Sequence, residues 1–204
     1  MYIDGFNLYY GALKGKPYKW LDLSKLCRHL LLPENDIIEI KYFTATVKAR
    51  PSDPTQPTRQ QTYLRALKTL SNVSVVFGHF LSHPVNMLLA NPPATGSRYA
   101  QVIKTEEKGS DVNLATELLV DGFKNKYDVA VLITNDSDLL SPIKVVKNEL
   151  KKRVGIFNPQ QKPSNVLRQE AIFFRGIRQS VLSRSQFPET LTDEIGAFHK
   201  PNSW

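Results

Sequence analysis

The feature that most constrains this chain is the regular exchange of short, β-branched apolar runs with longer segments of helical period. VAVLI (Val129–Ile133) is apolar throughout, and VSVVF (Val73–Phe77) is apolar but for Ser74, rather than alternating, as strands buried on both faces are. Between such runs, segments like LSKLCRHLL (Leu23–Leu31) repeat leucine at helical spacing. Strand and helix in alternation build a mainly parallel sheet covered by helices. Strands are expected at Met1–Ile3, Asp36–Val47, Val73–Leu81, Tyr99–Glu106, Asp128–Thr134 and Arg153–Asn158. Helices are expected near Asn7–Leu13, Asp22–Leu32, Pro57–Leu70, Asp111–Asn125, Pro142–Lys151 and Ser164–Glu170. Ala171–Ile177 reads either as a last strand or as the start of another helix.

Two segments interrupt this winding. Lys48–Gln60 is proline-rich and basic, and Ser82–Tyr99 reads as a long irregular loop; both are expected at the rim of the sheet. Beyond Leu182 no period is visible. The expected organisation is therefore one domain over residues 1–182, with residues 183–204 a tail that packs on it through Phe187, Phe198 or Trp204.

A chain of 204 residues can bury a full α/β core. Its longest apolar runs fall far short of the roughly 20 residues that span a bilayer, so no membrane segment is expected. Cys27, the single cysteine, shares helical spacing with Leu23, Leu26 and Leu30 and reads as core packing. It has no disulfide partner, and MYIDGFNLYY lacks a basic-then-apolar leader, which together favour the cytoplasm. The net charge of +8 draws the chain toward polyanions, nucleic acid foremost.

Acidic residues recur where strands give way to helices. Asp4 ends the first strand in IDGFN, Asp111 opens a helix in KGSDVNLATELL, and Asp136 and Asp138 follow VAVLIT. In a parallel sheet the carboxyl ends of the strands share one edge, where ligands collect, so acids distant in sequence are able to meet. Each one alone has a plainer reading as a helix cap. Asp4 resists that reading most, because an acid at the mouth of a central strand must be paired, hydrogen-bonded or solvated. Pro142 belongs in the first turn of its helix, which leaves Asp136–Leu140 as the connecting turn with both carboxylates near the strand end. Clustered like charges call for a cation, and all-oxygen ligands suit Mg²⁺ or Mn²⁺. The histidines, His29, His79, His83 and His199, have no zinc-type spacing, and no zinc is expected.

IDGFN (Ile3–Asn7), KGSDVNLATELL (Lys108–Leu119) and LITNDSDLLSPI (Leu132–Ile143), in this order, resemble the NYN domain, specifically its LabA-like branch within the PIN-like nuclease superfamily. The resemblance covers roughly residues 1–177. It implies a Rossmann-like three-layer α/β/α domain that hydrolyses RNA, mainly single-stranded, with a divalent metal. Asp4, Asp111, Asp136 and Asp138 match the family's acids, Asn7 the asparagine after the first, and Lys108 the polar residue before the helix glycine. The first strand has only three residues before Asp4, shorter than is general in the family, so either it is short here or the chain continues upstream. An acid the family often carries near LRQEAIFF has no clear counterpart, and Glu170 is left out of the expected site.

On this reading Asp4, Asp111 and Asp136 hold one or two Mg²⁺ or Mn²⁺ ions, Asp138 ligates a metal or orients a water on it, and Asn7 orients the phosphate or the attacking water. RNA is expected to touch Lys108, Arg98 and Tyr99, Tyr9 and Tyr10, and Lys48 and Arg50, while Lys144, Lys147 and Lys151 read mainly as a solvated helix face. The alternative is a catalytically inactive RNA-binding or protein-interaction module of the same fold. A polyanion-binding module gains nothing from clustered acids. A phosphatase with paired aspartates at its first strand is excluded by Phe6.

Overall fold

The computed structural model describes Met1–Trp204. Seven strands form one sheet: β1 (Tyr2–Asp4), β2 (Ile40–Ala45), β3 (Val73–Leu88), β4 (Tyr99–Lys108), β5 (Val129–Ile133), β6 (Arg153–Asn158) and β7 (Phe173–Gly176). Their order is β4-β3-β2-β1-β5-β6-β7, and every pairing is parallel except that of β3 with β4. β1 is central, and the order reverses there, which opens a crevice above the carboxyl ends of β1, β2 and β5.

Strand periodicity sorts the core into two layers. Ile3, Val131 and Ile133 face one cluster, shared with α2 (Leu23–Leu30), α3 (Gln56–Lys68) and α7 (Gln179–Arg184). Tyr2, Ala130 and Leu132 face the other, shared with α4 (Ser110–Phe123), α5 (Leu140–Asn148) and α6 (Asn165–Glu170). Neighbouring residues in one strand thus feed opposite faces, as a pleat with period two requires. Asp4 lies two residues beyond Tyr2 and so shares the face covered by α4 and α5.

The ends of several elements depart from expectation. The helix after Asp4 is a short α1 (Gly5–Leu8) that passes into a π-helical turn, Tyr9–Leu13. α5 stops at Asn148, and Lys151, expected inside it, has φ 53°, a left-handed conformation that ends helices. Ala171–Ile177 contributes strand β7 rather than a helix.

The largest correction concerns Ser82–Tyr99, expected as an irregular loop. β3 pairs with β2 only as far as Gly78; from His79 to Leu88 it pairs antiparallel with β4, and only the tip between them is loop. Apolar residues on both faces of this stretch, with prolines among them, hide the period-two signal. The hairpin forms an arm that leaves the carboxyl edge of the sheet and reaches roughly 30 Å over its ten paired positions, at about 3.4 Å per residue.

Residues beyond Leu182 carry β8 (Thr190–Asp193) and β9 (Gly196–His199), an antiparallel hairpin. Trp20, fully buried, meets Phe187, Phe198 and Trp204 with ring centroids 5.6, 6.4 and 6.4 Å away. Arg65 of α3 clamps Asp193 through two hydrogen bonds of 2.7 and 2.6 Å. No helix is long and apolar enough to cross a membrane.

Candidate metal centre

Each of three aspartates reaches the carboxyl edge by a different local device. Asp4 ends β1 in extended conformation and caps α1, its Oδ1 accepting the Asn7 N–H at 2.8 Å. Asp136 caps the 3-10 turn Ser137–Leu139, its Oδ1 accepting the Asp138 N–H at 3.0 Å. Asp111 sits in the first turn of α4, where Gly109 with φ 96° turns the chain sharply out of β4. The N–H and hydroxyl of Ser110 are both satisfied by Glu107, so Asp111 is free of capping duty. Capping and ligation are therefore compatible: Asp4 and Asp136 each spend one oxygen on the backbone, and the second oxygen, which in Asp4 also accepts the Thr134 hydroxyl, keeps a lone pair for a ligand.

One carboxylate oxygen from each of Asp4, Asp111 and Asp136 lies within 4.8 Å of the others. Asp4 is buried, and the other two are half-buried. None of the three makes a salt bridge. Burial pushes the Asp4 carboxyl above its usual range, against the pull of hydrogen bonds from Asn7 and Thr134. Burial, and next the charges of Asp4 and Asp136, raise Asp111 to about 6. Such repulsion is a cost a cation would remove. The donor set fits a hard divalent ion, being all oxygen and gathered within 4.8 Å.

Asp138 stands outside this trio, exposed on the 3-10 turn, though its charge contributes to the elevation of Asp111. Asn7 lies beside the trio: its Oδ1 accepts from the Asn135 N–H at 3.2 Å and from Gln160 Nε2 at 3.3 Å. Lys108 sits at the root of the arm, its Nζ 3.6 Å from Glu106. Arg98, with Tyr99, lies instead at the arm's tip, far from the carboxylates. Lys48 and Arg50 are exposed on the segment that leaves β2 at the same edge, and Tyr9 and Tyr10 pack edge to face in the π-turn with centroids 5.2 Å apart. Glu170 is held by Lys147 at 2.9 Å on the outer face of α5.

Several residues at this edge carry no motif of their own. Buried Thr134 donates its hydroxyl to Asp4 Oδ2 at 3.0 Å and accepts the Asp136 N–H at 3.1 Å, joining two members of the trio. Asn135 and the loop after β6, with Gln160, Gln161 and Lys162, form with Asn7 and Tyr10 one polar cleft beside Asp136 of about 650 Å³. The signal available was positional: NPQQKPSN leaves β6, the neighbour of β5, at the carboxyl edge.

The NYN domain family matches residues 1–176 of this chain. The chain belongs to the NYN domain family. That family lies in the PIN-like nuclease superfamily, and the mixed α/β architecture with its mostly parallel seven-stranded sheet is the PIN-like fold. The chain is also 30% identical over 234 aligned residues to 6-hydroxy-3-succinoylpyridine 3-monooxygenase HspA of Pseudomonas putida (strain DSM 28022 / S16), covering 100% of this chain and 74% of that protein. Among solved structures it resembles a protein of unknown function from Vibrio parahaemolyticus RIMD 2210633, with a TM-score of 0.56 and 15% identity over 87% of this chain and 90% of the other. That likeness concerns the fold.

Proposed function

We propose that this NYN domain is a ribonuclease that hydrolyses phosphodiester bonds of single-stranded RNA with Mg²⁺ or Mn²⁺. The observation that carries the reading is the unpaired trio Asp4, Asp111 and Asp136, gathered within 4.8 Å at the carboxyl edge of a basic NYN domain. Those residues would hold the ion, and Asp138, whose charge reaches Asp111, would orient a water. When bound, the ion supplies a lowered pKa for an attacking water and neutralises charge on the phosphate. The chain's own part is positioning. Thr134 fixes the Asp4 and Asp136 ends of the trio, and Asn7, its Oδ1 already held, has its Nδ2 free to donate to a phosphate oxygen. Lys108 and the basic segment with Lys48 and Arg50 flank the edge on one side and would attract the RNA backbone. Residues 1–182 would form the nuclease domain, and residues 183–204 a tail that completes the core around Trp20. The lone buried thiol of Cys27, pushed up to about 12 by burial, suits a reducing cytoplasm.

The likeness to a monooxygenase raises a second reading, oxidation of a small aromatic compound. The first strand–helix turn weighs against it: IDGFN places Asp4 and Asn7 where a dinucleotide fold presents glycine amides to a pyrophosphate. Incubation of the purified protein with labelled single-stranded RNA, in Mn²⁺ or in EDTA, tests the proposal. Cleavage is expected only with metal, and is expected to fall at least a hundredfold in Asp4→Asn and Asp136→Asn. Full-rate cleavage in both variants, or turnover of 6-hydroxy-3-succinoylpyridine without RNA cleavage, would reject it.

A further inference from the structure

The polar cleft beside Asp136 gathers several hydrogen-bonding side chains that have no partner in the protein. Its frame is rigid. Asn158 brackets Gln160 through two hydrogen bonds of 2.9 and 2.7 Å, and Asn135 ties the loop down through Lys162 O and the Ser164 N–H at 2.9 and 2.8 Å. Gly11 lets the π-turn come close on the opposite side, since a Cβ there would stand 2.8 Å from Pro159 O. π-Helical turns cluster at functional sites, where they redirect a side chain. This one delivers Tyr10, 53% exposed, to the rim of the cleft, with Lys14 Nζ 4.9 Å from its ring centroid. Within that frame Gln160 Oε1, the Gln161 amide, Lys162 Nζ, Ser137 Oγ and Asn7 Nδ2 have no partner in the protein.

We infer that this cleft is a nucleotide pocket that takes the base next to the scissile phosphate, with Tyr10 as its stacking platform, the glutamine amides at the base edge and Lys162 at a phosphate. The inference rests on the ribonuclease reading and adds to it a base preference. An unpaired base offers a π-face and a fixed pattern of donors and acceptors, and single-stranded RNA is read by stacking on an aromatic ring together with amide contacts to that edge. Amides held by a rigid backbone discriminate among bases, whereas phosphate contacts alone do not. At about 650 Å³ the open, polar cleft has room for a nucleotide.

NMR titration of the full chain in EDTA tests this directly, using the four ribonucleoside 5′-monophosphates and ribose 5-phosphate as probes. At least one nucleotide is expected to bind tenfold or more tightly than ribose 5-phosphate, and the four are expected to differ among themselves by at least threefold. Tyr10→Ala should bring the best nucleotide within twofold of ribose 5-phosphate, while Tyr10→Phe retains the difference. Lys162→Ala should weaken nucleotide and ribose 5-phosphate alike. Nucleotides that bind no better than ribose 5-phosphate, or a Tyr10→Ala variant with an unchanged spectrum of affinities, would overturn the inference. The readout is binding without metal, so base-selective binding in a protein that cleaves nothing rejects the ribonuclease and keeps the pocket. Cleavage with base-blind binding does the reverse.

Discussion

Thr134 donates its hydroxyl to Asp4 across 3.0 Å while accepting the backbone N–H of Asp136 at 3.1 Å, so one buried side chain locks the central strand to the turn that follows β5. Thr134→Val keeps the shape and removes both bonds. It leaves a buried carboxylate oxygen and a backbone N–H short of a partner, at a cost of about 1–3 kcal/mol each. Urea unfolding is expected to show lower stability than wild type, and calorimetry a weaker affinity for Mn²⁺. Thr134→Ser, which retains the hydroxyl, is expected to preserve most of both.

The trio should respond to metal and to charge removal in opposite directions. With EDTA present, Asp111→Asn is expected to melt at a higher temperature than wild type at pH 7.5, because it relieves repulsion from Asp4 and Asp136. Adding Mn²⁺ should raise the wild-type melting temperature by mass action and leave the Asp111→Asn variant nearly unmoved. A wild-type melting temperature indifferent to Mn²⁺ would count against a metal centre here.

The pH dependence follows from the same carboxyl. Asp111 is raised from 3.8 to about 6 by burial and by its acidic neighbours. A raised carboxyl pKa means that the folded chain keeps a proton the unfolded chain has already lost between about pH 4 and 6. Without metal this group's contribution to stability therefore declines as pH rises through that window. Metal binding runs the other way, since the ligand must be ionised. Mn²⁺ affinity measured from pH 5 to 8 is expected to climb steeply through about 6 in wild type.

At the far end of α4, Tyr2 donates to Asp121 at 2.8 Å, and Lys41, also buried, bonds Asp121 and reaches Glu117 at 2.7 Å. Ten residues separate Asp121 from Asp111, about 15 Å along the helix, so this anchor sets the height at which Asp111 meets Asp4. Lys41→Met leaves Asp121 with Tyr2 and with Lys126, whose Nζ lies 3.0 Å away, and is expected to cost about 1–3 kcal/mol in urea unfolding. Replacing both, as Lys41→Met with Asp121→Leu, should recover a large part of that loss.

Packing of the C-terminal segment on Trp20 is tested by Phe187→Ala. Phe187 is buried, and its removal opens a cavity against Trp20, with an expected cost of about 3–5 kcal/mol. A change below about 1 kcal/mol would show that the segment adds little to the core.

Much was legible in the residues alone because some signals are local. Period and composition mark VAVLI and RVGIFN as buried parallel strands, and proline at position 142 marks the beginning of α5, whatever surrounds them. The order of acids after strands follows from the same pattern, since a parallel sheet must put its strand ends on one edge. Other features depend on contacts distant in sequence. Strands were expected at Val73–Leu81 and Tyr99–Glu106, but the continuation of β3 to Leu88 escaped because apolar residues there, such as Met87 and Leu88, stand exposed, and β8–β9 escaped because its residues follow the shape of Trp20 and Arg65 rather than a period of their own. The resemblance implied that Asp4, Asp111 and Asp136 converge; how closely they do so was beyond the chain in one dimension. Sequence determined that Asp4, Asp111, Asp136 and Asp138 stand at one edge of an α/β sheet; tertiary structure alone decided that the first three meet within 4.8 Å while Asp138 turns outward. The reason is geometric, because a side chain's place is set by the pleat of β1, the axial height of α4 and the cap of one 3-10 turn, and these are fixed only when the layers pack.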